Sequence, residues 1–384
     1  MKLCTITGSR ADFFILKNLI LKIQHDKKIL QSLIVTGSHT SKIFGYTIKD
    51  IKKNKIKIRS IVDFHFKRDR PKDITNYLAL GIKKFSNIFT KIKPDSILLL
   101  GDRYEILAAA LSAYILKIPI IHLYGGEKTK GSLDDNIRHS ITKFSSVHLV
   151  ATKSYLKRVR QLGENKKLIF NVGSLGVEAI KKCKIYNKDY LENKLKIKFN
   201  RKNVVMTFHP ETNKSKKENI SNLKILLNCL KKLKDTSLII TMPGADHYYQ
   251  SIQLELQRFK NKNTYLFKSL GHDYYFSICK IVDFMIGNSS SGIIEMPTFK
   301  RGTVNLGERQ FGRVQAKSII NVEFNEDKIT NAISKIYSKR FENKVKKIKN
   351  PYEKKNSLNK IMKILKTLNL KKIKIKSFTD LNFK

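Results

Sequence analysis

Residues 96–127 read SILLLGDRYEILAAALSAYILKIPIIHLYGGE. A buried strand at 96–100 runs into Gly101-Asp102-Arg103, a helix follows at 105–116, and Lys117 and Pro119 divide it from a short buried strand at 118–123. Strand, helix, strand is the building unit of a parallel α/β sheet. The polar residues collect where the strands end. Between Gly101 and Ser140 the chain gathers Asp102, Glu105, Glu127, Asp134 and Asp135, with Arg103, Arg138, His122 and His139 among them. Acids are otherwise scarce, 31 Asp+Glu against 77 Lys+Arg, so this pooling points to an acid/base site. Helix capping and solvated faces would account for any one of these carboxylates; the setting decides for the group.

The alternation extends in both directions. Upstream, a strand at 3–7 turns through GSRAD (8–12) into a helix at 13–24, and a strand at 33–36 turns through Gly37-Ser38-His39 toward another helix. Downstream, the loop 124–133 precedes a helix at 134–144, a strand at 147–151, a helix at 153–161 and a strand at 169–172. Charged sequence from 181 to 202 reads as a linker. A second series opens with a strand at 204–208 before His209-Pro210-Glu211 and continues with strands at 238–241 and 281–286, the latter ahead of GNSSSG (287–292). A strand at 303–306 then precedes Gly307-Glu308-Arg309-Gln310, and a last helix at 357–368 is expected to cross back onto the first domain. The prediction is α/β: two doubly wound, Rossmann-like parallel-sheet domains facing each other across a cleft, at 1–180 and 181–350, with a C-terminal helix and basic tail at 351–384.

A length of 384 residues suits two domains with separate cores, and a hydrophobic content of 41% argues against disorder. No apolar run reaches the ~20 residues of a spanning helix. No signal-peptide core follows Met1-Lys2, and Cys4, Cys183, Cys229 and Cys279 form no CxxC pair. The expectation is a cytoplasmic protein with no membrane association, disulfide framework or metal site. The net charge of +46 raises nucleic-acid binding as a reading. Yet the lysines are spread over every predicted helix and loop, densest at 214–217, 344–355 and 371–376, with no interleaved aromatic platform. Nucleic acid is therefore not an expected partner, although such a field attracts a small anionic substrate.

Ligands of doubly wound sheets bind outside the carboxyl ends of the strands, where seven of these polar motifs fall. GNSSSG is the best anion site, because small residues let backbone N–H groups approach a phosphate at a helix start. It is neither a Walker A loop nor GxGxxG, so neither ATP nor a nicotinamide cofactor is supported. Arg309 and Arg313 are placed to clamp a diphosphate, with Arg10 supplying charge from the other domain. His209, fixed before Pro210, is placed to donate to a leaving phosphate or shuttle a proton, while His39, His122 and His139 read equally as structural histidines.

Taken together, GSRAD, GDRYE, GGEKTKGSLDDNIRHSITK, FHPET, GNSSSGIIE and NLGERQFGR resemble the hydrolysing UDP-N-acetylglucosamine 2-epimerase family of nonulosonic acid biosynthesis. The resemblance runs in register from residue 1 to about 322 and fades over the lysine-rich tail. It implies a glycosyltransferase-B-like fold and a reaction without a redox cofactor. The nucleotide diphosphate is eliminated from C1 as the C2 proton is lost, and water adds to the resulting glycal to release a free sugar of manno configuration. Carried over by motif, Asp102 and Asp134 match functional acids, with Arg103, Asp135, Arg138 and His139 beside them. His209 matches a histidine near the nucleotide phosphates; Ser289, Ser290 and Glu295 match the nucleotide site, the glutamate on the ribose hydroxyls. Arg10 and Arg309 match basic residues of that pocket, and His39 and Arg313 are expected with them.

Two positions depart from the family pattern. Tyr124 stands where many members have a glutamate, and a tyrosine is a poor base near neutral pH. Either Glu127 takes that role or the glutamate is dispensable in this branch. Phe14 replaces a polar residue after the first arginine loop. Two substrates fit. A UDP- or GDP-linked N,N′-diacetylbacillosamine would give 2,4-diacetamido-2,4,6-trideoxymannose for legionaminic acid, and UDP-N-acetylglucosamine would give N-acetylmannosamine for sialic acid. A homo-oligomer, dimer or tetramer, is expected. The rival readings are a non-hydrolysing 2-epimerase, a glycosyltransferase of the same fold, and, from another class, a basic nucleic-acid-binding protein.

Overall fold

A computed structural model of the chain describes residues 1–42, 45–64, 71–130, 133–243 and 248–381. Gly131 and Ser132, in the loop foreseen at 124–133, lie outside the described residues. The chain divides into two compact units. The first comprises Met1–Glu127, Asp134–Ala179 and Lys354–Lys384, the second Lys128–Leu133 and Ile180–Glu353.

The first unit carries the strands β1 (Lys2–Thr7), β2 (Leu30–Thr36), β3 (Ile58–Val62), β4 (Ser96–Leu100), β5 (Ile120–Leu123), β6 (Val147–Val150) and β7 (Ile169–Asn171). They form one sheet in the order β3-β2-β1-β4-β5-β6-β7, and every pairing is parallel. Its helices are α1 (Arg10–Gln24), α2 (Ile48–Lys53), α3 (Pro71–Ile92), α4 (Tyr104–Ile115), α5 (Asp134–Phe144), α6 (Lys153–Gln161) and α7 (Leu175–Ile180). β4, β5 and β6 are buried at every residue, the signature of a parallel sheet covered on both faces. The strand order reverses between β1 and β4, which makes their carboxyl ends the switch point of the sheet, the place where such folds hold ligands.

In the second unit, the stretch 181–202, expected as a linker, holds α8 (Lys188–Leu195), and its Leu191 is fully buried with Ile197 and Phe199. The unit continues with β8 (Lys202–Thr207), α9 (Lys216–Lys231), β9 (Thr236–Thr241), α10 (Tyr249–Phe259), β10 (Thr264–Phe267), α11 (His272–Ile281), β11 (Phe284–Gly287), α12 (Ser290–Ile294), β12 (Gly302–Leu306), β13 (Ile319–Val322), α13 (Glu326–Ile336) and α14 (Lys339–Lys346). The sheet order is β10-β9-β8-β11-β12-β13, again all parallel, with its switch point between β8 and β11. Gly287, φ +132°, closes β11 so near the Thr207 carbonyl that any Cβ there would collide with it.

The closing segment belongs to the first unit. α15 (Ser357–Thr367) buries Leu358, Ile361, Met362 and Leu365 with Leu16, Leu19 and Ile23 of α1, and α16 (Leu370–Ile373) adds Ile373. Beyond it, Lys376 Nζ donates to the carbonyls of Thr142 (3.2 Å), Lys143 and Ser145 (2.8 Å) at the end of α5 and pairs with the buried Glu164 at 2.7 Å. Burial lowers this lysine to about 8. No helix among the described residues is long and apolar enough to cross a membrane.

Candidate active site

At the switch point of the first sheet, Arg103 occupies the N-cap of α4 and donates from Nε to Glu105 Oε1 at 3.0 Å. Glu105 is only 2% exposed. It sits over Gly8 at the end of β1 and Gly37 at the end of β2, where any side chain would displace its carboxylate. Glycine in GSRAD therefore makes room for an acid from the first turn of α4. On the far side, His122 of β5 is fully buried, with Nε2 donating to the Gly101 carbonyl at 2.8 Å and Nδ1 3.3 Å from the Thr142 hydroxyl. Burial holds it near a pKa of about 4, so it is a neutral brace between the ends of β4 and β5.

The centre of the cluster is Arg138. It is 2% exposed and reaches from α5 to Asp102 through Nη2, and through Nη1 to Asp135 Oδ1 at 3.3 Å and the Glu127 carbonyl at 3.0 Å. A buried guanidinium with two carboxylates and a carbonyl is well satisfied, and its fork fixes the spacing of both acids. Asp102 and Asp135 keep 20% and 21% of their side-chain surface, so each still faces solvent on one side. His139 lies one residue along, Nε2 3.8 Å from Asp135 Oδ2, with its pKa lowered first by burial. Asp134 opens α5, and its charge raises the Tyr104 phenol after burial has done so. The structure thus brings Asp102, Arg103, Glu127, Asp134, Asp135, Arg138 and His139 to one edge of the first unit.

One residue behaves otherwise than the sequence suggested, and a second, Tyr124, is as poor a base as expected. His39, expected at the nucleotide, is 0% exposed; its Nε2 is bonded to the Thr7 hydroxyl at 3.0 Å and its Nδ1 to the Thr47 hydroxyl at 2.8 Å. Both ring nitrogens are taken and burial lowers its pKa to about 4, so it braces the ends of β1 and β2 instead of meeting a ligand. Tyr124 turns in left-handed backbone, φ +66°, toward α7. Its hydroxyl lies 3.0 Å from Ser174 Oγ and accepts from the Gly176 N–H at 3.3 Å. Burial raises the phenol to about 12, which leaves it a protonated strut rather than a base. Arg10 opens α1, partly buried, with Asp12 in the same first turn.

In the second unit the organiser is Asn288, fully buried just after β11. Its Oδ1 accepts from the His209 N–H at 2.7 Å and its Nδ2 donates to the His209 carbonyl at 2.8 Å, clamping the end of β8. Its own carbonyl accepts from Arg309 Nη1 at 3.2 Å and Gln310 Nε2 at 2.9 Å. Glu211, 1% exposed, receives the backbone N–H groups of Glu308 (2.9 Å) and Arg309 (3.0 Å). His209, Ser289, Ser290 and Arg309 are thereby gathered at the switch point of the second sheet, with Arg313 one turn beyond Arg309. Ser289 caps α12. That helix spans only five residues, so its dipole is small. Glu295 is partly buried and accepts from Ser291 Oγ, which also lies 2.6 Å from the Tyr275 hydroxyl; desolvation raises its pKa. Asn288 and Glu211 lie inside motifs the sequence singled out, and Glu105 was counted among the pooled acids, yet none was picked out as an organiser, because local spacing does not tell which polar residue points inward. No group of three or more metal-ligating side chains occurs among the described residues.

Comparison with known proteins agrees with this architecture. The family profile described as UDP-N-acetylglucosamine 2-epimerase matches residues 21–366. A Campylobacter jejuni protein named GDP/UDP-N,N′-diacetylbacillosamine 2-epimerase (hydrolyzing) is 41% identical, over 99% of both chains. The Escherichia coli polysialic acid biosynthesis protein P7 is 36% identical over 95% of this chain and 93% of its own. Among solved structures, UDP-GlcNAc 2-epimerase from Neisseria meningitidis bound to UDP-GlcNAc superposes with a TM-score of 0.82 at 20% identity, over 95% of this chain and 99% of that one. With a profile match over most of its length and two relatives aligned nearly end to end, the chain belongs to the UDP-N-acetylglucosamine 2-epimerase family.

Proposed function

We propose that this protein is a hydrolysing 2-epimerase of a nucleotide-diphospho-2-acetamido sugar, and that its substrate is a UDP- or GDP-linked N,N′-diacetylbacillosamine. The end-to-end 41% identity to the Campylobacter jejuni enzyme of that name carries the substrate choice. The product is then 2,4-diacetamido-2,4,6-trideoxymannose, which supplies legionaminic acid synthesis in the cytoplasm. UDP-N-acetylglucosamine, giving N-acetylmannosamine for sialic acid, is the second reading, favoured by the match to the polysialic acid protein.

The chemistry asks for proton handling at C2 and for cations at the departing diphosphate. Asp102 and Asp135, oriented by Arg138, are assigned to the first task together with Asp134 and Glu127, with His139 beside them. Arg309, Arg313, His209 and the N–H groups around Ser289 and Ser290 are assigned to the second, Glu295 to the nucleotide ribose, and Arg10 to anion binding. The assigned groups call for no redox cofactor, and a dimer or tetramer is the proposed assembly. Product analysis by mass spectrometry and NMR tests the reading, using UDP- and GDP-linked diacetylbacillosamine and N-acetylglucosamine in heavy water. The expected result is a free manno-configured sugar with deuterium at C2. A product still linked to its nucleotide identifies a non-hydrolysing epimerase and overturns the proposal.

A further inference from the structure

Inversion at C2 makes a stereochemical demand. One proton leaves from one face of the sugar and another arrives on the opposite face, so two separate groups handle protons. Several groups at the carboxyl edge of the first sheet are already held by partners within the protein, which, among the described residues, Asp12 Oδ2 is not. Glu105 is engaged by Arg103, Asp102 and Asp135 by Arg138, and Tyr124 by Ser174 and Gly176. His39 and His122 are neutral braces with both ring nitrogens occupied.

Asp12 is different. It lies in the first turn of α1, on the β1 side of the switch point, its backbone N–H on Ser9 Oγ at 3.2 Å. The residue as a whole is half-buried, but its Oδ2 is closed to solvent and meets no hydrogen-bond partner among the described residues. The charges acting on it are Arg103, Glu105 and Asp102 from the β4 side, and Arg10 precedes it on its own helix. Burial, which outweighs the opposing Arg103, raises the carboxyl to about 6. A carboxylate with little solvation is a stronger base than one in water, and at neutral pH this one is still mostly ionised.

Resting on the reaction assigned above, we propose that Asp12 is the base that removes the C2 proton. Its carboxylate takes that proton while the C2–H electron pair becomes the C1–C2 double bond. The C1–O bond breaks, and its electron pair leaves on the nucleotide diphosphate. In the second step a separate acid protonates C2 on the other face as a water oxygen bonds to C1, and the remaining water proton restores that acid. The proton held by Asp12 passes to solvent, as the single proton that the net hydrolysis releases.

Two measurements on the full chain test this. In the substrate-free protein labelled with carboxyl-13C aspartate, the Asp12 resonance, identified by its loss in Asp12→Asn, should titrate near pH 6. A midpoint in the ordinary range near 4 overturns the proposal. With whichever nucleotide sugar the wild type hydrolyses, kcat/KM should fall below pH 6. Asp12→Asn should lower kcat by about 10²–10⁴-fold with KM within a few-fold, and abolish deuterium exchange at C2. Asp12→Glu should restore part of the rate and an acid limb. Wild-type kcat with an unchanged acid limb in Asp12→Asn refutes the role. If Asp12→Asn does not fold by circular dichroism, Asp12→Glu and the wild-type titration decide. A wild type inert toward every nucleotide sugar removes the assigned reaction instead, which the titration does not depend on.

Discussion

Arg138 and Asp102 can be separated by mutation in a way that reports how the cluster is built. Replacing Asp102 with Ala strands a guanidinium that is 2% exposed. Breaking a buried pair in this way costs about 3–5 kcal/mol. Here Asp135 at 3.3 Å and the Glu127 carbonyl at 3.0 Å still hold Arg138, so the expected loss is about 2–4 kcal/mol. Replacing Arg138 with Leu strands Asp102 and Asp135 instead, and these retain 20% and 21% of their surface and can take up water. The buried Glu127 carbonyl loses its donor, and the expected loss is about 1–2 kcal/mol. The double variant leaves no buried charge, so its cost should fall below the sum of the single costs by about 2 kcal/mol. Urea unfolding followed by far-UV circular dichroism reads this out, because the chain has no tryptophan. Single costs that add within about 0.5 kcal/mol, or an Arg138→Leu loss as large as that of Asp102→Ala, would refute the reasoning.

Tyr124→Phe should keep kcat within a few-fold while losing about 1 kcal/mol of stability, since only the bonds to Ser174 and Gly176 disappear; a collapse of turnover in a folded variant would return Tyr124 to the chemistry. Asp134→Asn should fold as the wild type does and lose about 10²–10⁴-fold in kcat; near-wild-type rates would remove it from the mechanism. Asp12 bears on stability as well as rate. Its carboxyl is raised from 3.8 to about 6, so its proton stays bound in the folded state where the unfolded chain has lost it. That contribution is complete below about pH 4 and gone above about pH 6, and amounts to at most about 3 kcal/mol. Asp12→Asn should flatten the fall in urea midpoint across this window, and an unchanged fall would contradict the shift. Lys376→Met should cost about 1–3 kcal/mol by leaving the carbonyls of Thr142 and Ser145 without their donor; an unchanged midpoint would show that this lysine does not hold α5.

The α/β architecture was legible because strands of a parallel sheet are buried on both faces and read as short apolar runs. The strands that escaped the sequence, β3, β10 and β13, are all edge strands. β3 reads IRSIV with a half-exposed pattern, and β13 has no fully buried residue, so neither stands out in lysine-rich surroundings. α8 was hidden for the same reason, one buried leucine among charges. Site chemistry was legible as pooled motifs but not as individual orientations. His39 reads like a ligand until Thr7 and Thr47 are seen on its two nitrogens, and Tyr124 turns away toward a serine 50 residues further along the chain. Such choices depend on long-range partners that local spacing does not reveal.

The first unit is stitched together from segments lying on both sides of the second, and this has a consequence on the ribosome. α1 receives the cover of Leu358, Ile361, Met362 and Leu365 only after all of Ile180–Glu353 has been synthesised. At roughly 5–20 residues per second, that interval is on the order of ten seconds or more. The later-made sheet can close while the earlier one still shows an apolar helix face to solvent and to any chaperone that meets it. The first unit, begun first, is thus the last to have its core complete, and the nascent protein is most open to misassembly before α15 emerges from the exit tunnel.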